Sequence, residues 1–124
     1  MSFDDLGLDE ALIRAVRDEG YDTPTPIQLA AIPAVLNGFD VMAAAQTGTG
    51  KTAGFSLPLI QHLSKDRDAS HPVIRALVLT PTRELAAQVG QSIETYAKHV
   101  DLRAAIIFGG VKINPQIDQL KKGV

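Results

Sequence analysis

The run Ala45-Gln46-Thr47-Gly48-Thr49-Gly50-Lys51-Thr52 places two glycines, a lysine and a threonine where an apolar segment gives way to a helix-forming one. That pattern suits the binding of a phosphate. Glycines at 48 and 50 let the backbone turn tightly and present successive N–H groups to phosphate oxygens without a Cβ in the way. A helix opening at Lys51 adds its own unpaired N–H groups and the positive end of its dipole. Lys51 supplies a point charge for the β- and γ-phosphates, and the Thr52 hydroxyl stands where a Mg²⁺ ligand is needed. The general pattern G-x-x-x-x-G-K-[ST] wants glycine at the first position, and here it is Ala45.

Other residues with chemical potential are scattered along the chain. Gln28 follows Thr25-Pro26 and reads equally as half of a capping box with Thr25 or as an amide able to donate to and accept from an adenine edge. Thr82 and Arg83 offer a hydroxyl at a helix start and a planar cation, a reasonable clamp for a phosphodiester. They read as well as an N-cap and a surface arginine paired with Glu84 or Glu94. Gly109-Gly110 allows close approach of another backbone or simply ends a strand. His62, His71 and His99 have neither metal spacing nor a partnered nucleophile and read as surface or loop residues, and Lys121-Lys122 reads as a solvated helix end.

Elements to position these groups follow from periodicity. Leu8, Leu12 and Val16 mark an amphipathic helix over 9–19 with Gly20 as its stop. Thr25 as cap, Pro26 at the first helical position and Gln28 three residues after the cap start a second helix, kinked or restarted at Pro33 and closed by Asn37-Gly38. Residues 40–45 form the strand feeding the phosphate loop. The helix over 51–63 leaves it, with Phe55, Leu59, Ile60 and Leu63 as its apolar side and a bend at Pro58. Residues 64–72 are polar, of mixed charge and proline-ended, and read as a surface loop. Residues 76–79 and 104–108 are short apolar runs of the kind buried on both faces of a parallel sheet. Between them Leu85, Val89, Ile93, Tyr96 and Val100 lie on one helix face, and Asn114-Pro115 caps a last helix burying Ile117 and Leu120. The order is helix-helix, then three strand-helix pairs, which means an α/β fold: a parallel sheet with flanking helices. In open parallel sheets ligands bind outside the carboxyl ends of the strands, where the phosphate loop, Pro81-Thr82-Arg83 and Gly109-Gly110 all fall.

Composition bounds the class. The 124 residues carry a formal net charge of -2, 45% hydrophobic and 21% charged residues and no cysteine, an ordinary globular mixture for a single modest core. Bulk charge gives no sign of a nucleic-acid partner, so such a partner has to be argued locally. No apolar run reaches membrane-spanning length, and the acidic Met1-Ser2-Phe3-Asp4-Asp5 lacks the layout of a secretory signal. The cytoplasm is the default expectation.

Four elements in order resemble the DEAD-box RNA helicases. Phe3, Gly20-Tyr21 and Pro24-Thr25-Pro26-Ile27-Gln28 resemble that family's Q motif with its isolated upstream aromatic. Residues 45–52 are similar to its motif I, where alanine at the first position is normal; Pro81-Thr82-Arg83-Glu84-Leu85-Ala86 to motif Ia; and Gly109-Gly110 to its GG element. The phrasing Phe108-Gly109-Gly110-Val111 and Ile113-Asn114-Pro115-Gln116 is most similar to the bacterial RhlE-type branch. The resemblance implies a P-loop, RecA-like fold in the N-terminal part of helicase domain 1. It implies a nucleotide site of Phe3, Tyr21, Gln28, Gln46, Thr47, Gly48, Thr49, Gly50, Lys51 and Thr52, with Gln28 on adenine, Phe3 against the base, and Lys51 and Thr52 as the catalytic pair. ATP or ADP and Mg²⁺ are the expected cofactors, the metal at Thr52. RNA is expected to be held through its backbone, without regard to sequence, by Pro81, Thr82, Arg83, Gly109 and Gly110.

The same resemblance shows what these residues do not contain. The Asp-Glu-Ala-Asp carboxylates, the Thr-Pro-Gly-Arg and Ser-Ala-Thr motifs and the second RecA-like domain with its arginine fingers are not in the sequence. The expectation is an incomplete domain, cut near Gly123-Val124, that binds nucleotide without hydrolysing it. The family's sheet order puts further strands between the phosphate-loop strand and the strand before Pro81. Without them unpaired apolar edges are expected to invite oligomers or a swapped dimer. The alternatives are a non-catalytic nucleotide- or RNA-binding module and another P-loop NTPase.

Overall fold

The computed structural model describes residues 1–65 and 73–124, so most of the loop expected over 64–72, His71 included, lies outside the described residues. A 3-10 turn at Phe3–Leu6 leads into α1 (Glu10–Asp18), α2 (Pro26–Leu36), α3 (Lys51–Lys65), α4 (Arg83–Tyr96) and α5 (Ile113–Lys121). Ser64 and Lys65 belong to α3, where the mixed-charge run was expected to have left the helix.

The first two helices end as their glycines dictate. Gly20 (φ 77°) and Gly38 (φ 83°) are left-handed. Each is followed by a residue whose N–H reaches back to the last turn, Tyr21 to Val16 O at 3.2 Å and Phe39 to Ala34 O at 3.1 Å. Only glycine takes that conformation without strain, which is why both stops were visible in the sequence. Pro33 and Pro58 lie inside α2 and α3, which run through them unbroken.

α2 and α3 are close neighbours, with α4 against α3 and α1 and the 3-10 turn closing the other side. The core joins Phe3, Leu6, Leu8, Leu12, Val16, Ile32, Leu57, Ile60 and Tyr96. The buried side of α3 differs from the expected stripe. Leu57 and Ile60 are fully enclosed together with Ser56 and Pro58, whereas Phe55, Leu59 and Leu63 are half-buried. The helix is covered from more than one direction, and a single-stripe reading does not capture that. A buried Gln61 holds the N-terminus to it, its Oε1 accepting from Asp9 N–H at 2.7 Å and its Nε2 donating to Gly7 O at 2.9 Å. Val100 packs on the core from beyond the end of α4.

The three expected strands carry no β-ladder among the described residues. Their side chains are correspondingly open, Met42 at 101%, Leu77 at 80% and Leu79 at 83% of full exposure. The burial expected on both faces of 76–79 is therefore not met. Parallel strands bury apolar side chains only when neighbours supply both the hydrogen-bond ladder and the covering face. In the sheet order that the resemblance implies, those neighbours are not among these residues. The segment 104–108 instead rests on α4 at Gly90, where a Cβ would run into the Ile106 side chain. α5 also departs from expectation. Its N-cap is Lys112, Asn114-Pro115 falls within the first turn, where proline's missing N–H costs nothing, and none of its residues is buried. Ile117 is 39% exposed, so the apolar stripe of α5 has no covering layer here.

Candidate functional site

The phosphate loop sits between an apolar segment and α3, which begins at Lys51 as expected. Gly48 (φ 83°) and Gly50 (φ 85°) are both left-handed. Thr49 Oγ1 donates to Gln46 O at 2.6 Å, and Lys51 Nζ reaches back over the loop to Ala45 O at 2.6 Å. Lys51 is exposed and Thr52 half-buried at the first turn of α3. Thr52 O accepts from Ser56 Oγ. Among the described residues no cluster of His, Asp or Glu could hold a metal by itself. A Mg²⁺ ion here would therefore depend on Thr52 together with phosphate oxygens.

Gln28 joins this loop to α2. Its Oε1 accepts from Thr25 N–H at 3.0 Å, which is the cap role, and its Nε2 donates to Gly50 O at 3.1 Å. The Gly50 carbonyl already accepts from Gly54 N–H at 3.0 Å in the first turn of α3. The glutamine is 6% exposed. Its amide retains one hydrogen and one lone pair, the complement of an adenine N7/N6 edge, so capping and base reading do not compete for the same atoms. The space between α2 and the loop is tight. A Cβ on Gly50 would collide with Gln28 Nε2 and stand 3.3 Å from Thr25 Oγ1. That Thr25 oxygen is buried and faces the Gln28 backbone N–H in the capping box, without a close hydrogen bond among the described residues. Left-handed glycines and a helix start at one mouth fit a bound phosphate-bearing nucleotide.

The two aromatics of the expected site have neighbours of their own. Phe3 is 4% exposed and belongs to the core cluster with Leu6, Leu8 and Leu12. Tyr21 lines a groove against α4 with Glu19, Gln88 and Tyr96. Neither is among the contacts that tie Gln28 to the loop. Burial, with Tyr21 and Glu19 adding to it, pushes the Tyr96 hydroxyl up to about 12.

The second cluster gathers around the start of α4. Thr82 is the N-cap, its Oγ1 accepting from Leu85 N–H at 3.1 Å, and Pro81 and Arg83 are exposed. The Arg83 guanidinium lies beside Gly110, where a methyl would stand 3.3 Å from Nη1, and Gly110 is left-handed (φ 78°). Neither Glu84 nor Glu94 pairs with Arg83. A guanidinium with no ion-pair partner among the described residues, over an open glycine backbone, can take a phosphodiester bidentately. The two described histidines bond locally at the surface: His62 Nε2 meets Val35 O at 2.8 Å and His99 Nε2 meets Asp18 Oδ2 at 2.8 Å, both exposed.

The sequence reading missed the side chains that hold these pieces. Gln61 and Gln116 both grip backbone with both ends of an amide. The available signal was a glutamine placed beside apolar residues on a helix, Gln61 after Ile60 and Gln116 before Ile117.

Residues 25–124 match the family model described as DEAD/DEAH box helicase. The chain is similar to the DEAD-box ATP-dependent RNA helicase RhpA of Helicobacter pylori, 47% identical over 98% of this chain and 24% of the relative. It is similar to the ATP-dependent RNA helicase SrmB of Escherichia coli, 52% identical over 89% of this chain and 25% of the relative. The crystal structure of the RNA helicase Prp28 from Chaetomium thermophilum bound to ADP superposes with a TM-score of 0.87 at 37% identity, covering 98% of this chain and 30% of that one. The chain thus spans about a quarter of the length of the curated relatives it matches. The segments lacking a ladder are those of a RecA-like α/β sheet, and the chain belongs to the DEAD/DEAH box helicase family.

Proposed function

We propose that these residues are the ATP-binding and RNA-contacting part of an ATP-dependent RNA helicase of the cytoplasm, which couples ATP hydrolysis to local separation of RNA duplexes. The observation that carries the reading is the tie from Gln28 to Gly50, which sets an amide with a free donor and acceptor at the mouth of a loop built for phosphate. Lys51 holds the β- and γ-phosphates, Thr52 the Mg²⁺ ion, and the backbone N–H groups of 46–50 line the rest. Phe3, on the turn that packs against α2, lies against the base, and Tyr21 completes the nucleotide site. Pro81, Thr82, Arg83, Gly109 and Gly110 take the RNA backbone, Arg83 through its charge and the glycines through close approach. Such contacts touch phosphate and sugar and are indifferent to base sequence.

The chain on its own binds nucleotide but does not turn it over, because a positioned water and a metal held from both sides need carboxylates that are not among these residues. The finer placement in the bacterial RhlE-type branch rests on the phrasing of 108–116, while relatives under other names match at 47% and 52% identity.

The test is a titration with fluorescent ADP and GDP analogues in Mg²⁺. A bidentate amide–base pair discriminates by about 1–3 kcal/mol, roughly 5- to 150-fold in affinity. ADP should be preferred in that range and Gln28→Ala should abolish the preference. Equal affinity of the wild-type chain for both nucleotides would refute the reading of Gln28. RNA-stimulated phosphate release from the 124-residue chain would refute its inactivity.

A further inference from the structure

Gln116, on the second turn of α5, grips the residue immediately before the glycine pair. Its Oε1 accepts from Phe108 N–H at 2.8 Å and its Nε2 donates to Phe108 O at 3.2 Å. The second hydrogen of the same amide reaches Lys112 O at 3.2 Å, at the N-cap of α5. One side chain thus satisfies both backbone groups of Phe108, which is what a facing residue does in the closely bonded pair of an antiparallel ladder. Segment 104–108 has no ladder among the described residues, so this amide stands in for a strand at the point where the segment ends.

The grip matters because of the two residues after Phe108. Gly109 has nothing within 4 Å of where a Cβ would be, and Gly110 is left-handed beside Arg83 Nη1. Two successive glycines hold little conformational preference of their own, so their direction is inherited from their flanks. On one flank that direction is set by Gln116. On the other, α5 begins at Ile113, and Lys112 O is tied to the same amide.

We infer that Gln116 is a positioning residue for RNA, an amide clamp that fixes the backbone of Phe108 so that Gly109-Gly110 presents to a phosphodiester beside Arg83. The inference rests on the reading of Gly109-Gly110 and Arg83 as an RNA contact and adds the side chain that holds that contact in place. Gln116 does not touch RNA. It removes conformations that binding would otherwise have to remove, so its loss lowers affinity without removing a contact.

The test compares Gln116→Met, which keeps side-chain length and helix propensity and loses the clamp, with Gln119→Met, the same change at an exposed position of α5. Arg83→Ala serves as the direct-contact control. Binding of a short fluorescein-labelled oligouridylate is read by anisotropy with an ATP analogue and Mg²⁺ present. Fluorescent-ADP affinity and the melting temperature are read alongside. Gln116→Met should weaken oligouridylate binding about tenfold (1.4 kcal/mol), while Gln119→Met stays within about twofold of wild type. The dependence of affinity on salt should be kept in Gln116→Met and reduced by about one charge in Arg83→Ala. Wild-type affinity in Gln116→Met would overturn the clamp while leaving the RNA reading intact. Parallel loss of oligouridylate and ADP binding with a lowered melting temperature would also overturn it, because Gln116 would then be a general stabiliser. Absence of oligouridylate binding by the wild-type chain would overturn the RNA reading itself and the clamp with it.

Discussion

Gly50→Ala separates two reasons for a glycine in the phosphate loop. Gly48 and Gly50 have nearly the same left-handed backbone, φ 83° and 85°, so an L-residue at either pays the same conformational strain, about 1–2 kcal/mol. Their surroundings differ. A Cβ on Gly48 meets nothing within 4 Å, whereas one on Gly50 collides with the Gln28 amide. Gln28 is buried, so its side chain cannot simply swing into water, and moving it breaks the bond to Gly50 O and strands a polar group, at about 1–3 kcal/mol. Gly48→Ala should therefore cost about 1–2 kcal/mol and Gly50→Ala about 2–5 kcal/mol.

The difference should vanish when Gln28 is removed. In a Gln28→Ala background the colliding atoms are gone, Thr25 Oγ1 at 3.3 Å needs only a slight shift, and Gly50→Ala should fall to the cost of Gly48→Ala. The assay is urea unfolding of wild type, both glycine variants, Gln28→Ala and the two double variants, with sucrose throughout to keep the weakest arms folded. Coupling between Gly50→Ala and Gln28→Ala should reach about 1–3 kcal/mol and that between Gly48→Ala and Gln28→Ala should stay within about 0.5 kcal/mol. Equal costs for the two glycine variants, or a Gly50→Ala cost that survives Gln28→Ala unchanged, would refute the claim that Gln28 defines the mouth of the loop.

Gly90→Ala should cost about 1–3 kcal/mol, because its methyl overlaps the Ile106 side chain, and Ile106→Ala in the same chain should recover part of it in thermal melts. His99 foremost, with Lys98, holds the Asp18 carboxyl below its ordinary 3.8, so its small contribution to stability is present above that pH and lost as pH falls through the lowered value. Asp18→Asn should accordingly melt below wild type at neutral pH and converge with it in acid. Burial raises the Tyr96 hydroxyl from 10.0 to about 12, so stability is fully present below the ordinary value and is lost as pH rises from there through about 12; absorbance at 295 nm should change in a late step that Tyr96→Phe removes, leaving Tyr21.

Those perturbations fall on contacts of unequal legibility. The helix stops at Gly20 and Gly38, the cap at Thr25 and the start of α3 at Lys51 were readable because each depends on a local rule that a few residues satisfy alone. The strands were readable as segments but not as a sheet. A ladder is a property of pairs, and 40–45, 76–79 and 104–108 do not pair with one another among the described residues. The burial assigned to residues 76–79 and to Ile117 failed for the same reason, since apolar character predicts a covering layer only when the residues that make it are there.

The glutamines show most clearly where local reasoning stops. Gln28, Gln61 and Gln116 each use both ends of one amide on backbone groups, joining α2 to the phosphate loop, α3 to the N-terminal turn, and α5 to the segment before Gly109. Gln28 was visible because its first partner, Thr25, lies three residues away, within the reach of a capping rule. The partners of Gln61 lie more than fifty residues away, and Gln116 spans eight residues across a helix start, so no local rule reaches them. An apolar side chain would fill these places but would bond nothing. A backbone N–H or C=O left open in a partly buried junction needs a donor or acceptor of fixed reach, and a glutamine offers both. Two of the three clamps end at a glycine run, that of Gln28 on Gly50 and that of Gln116 on Phe108 just before Gly109, where glycine supplies the conformation and the clamp removes its freedom.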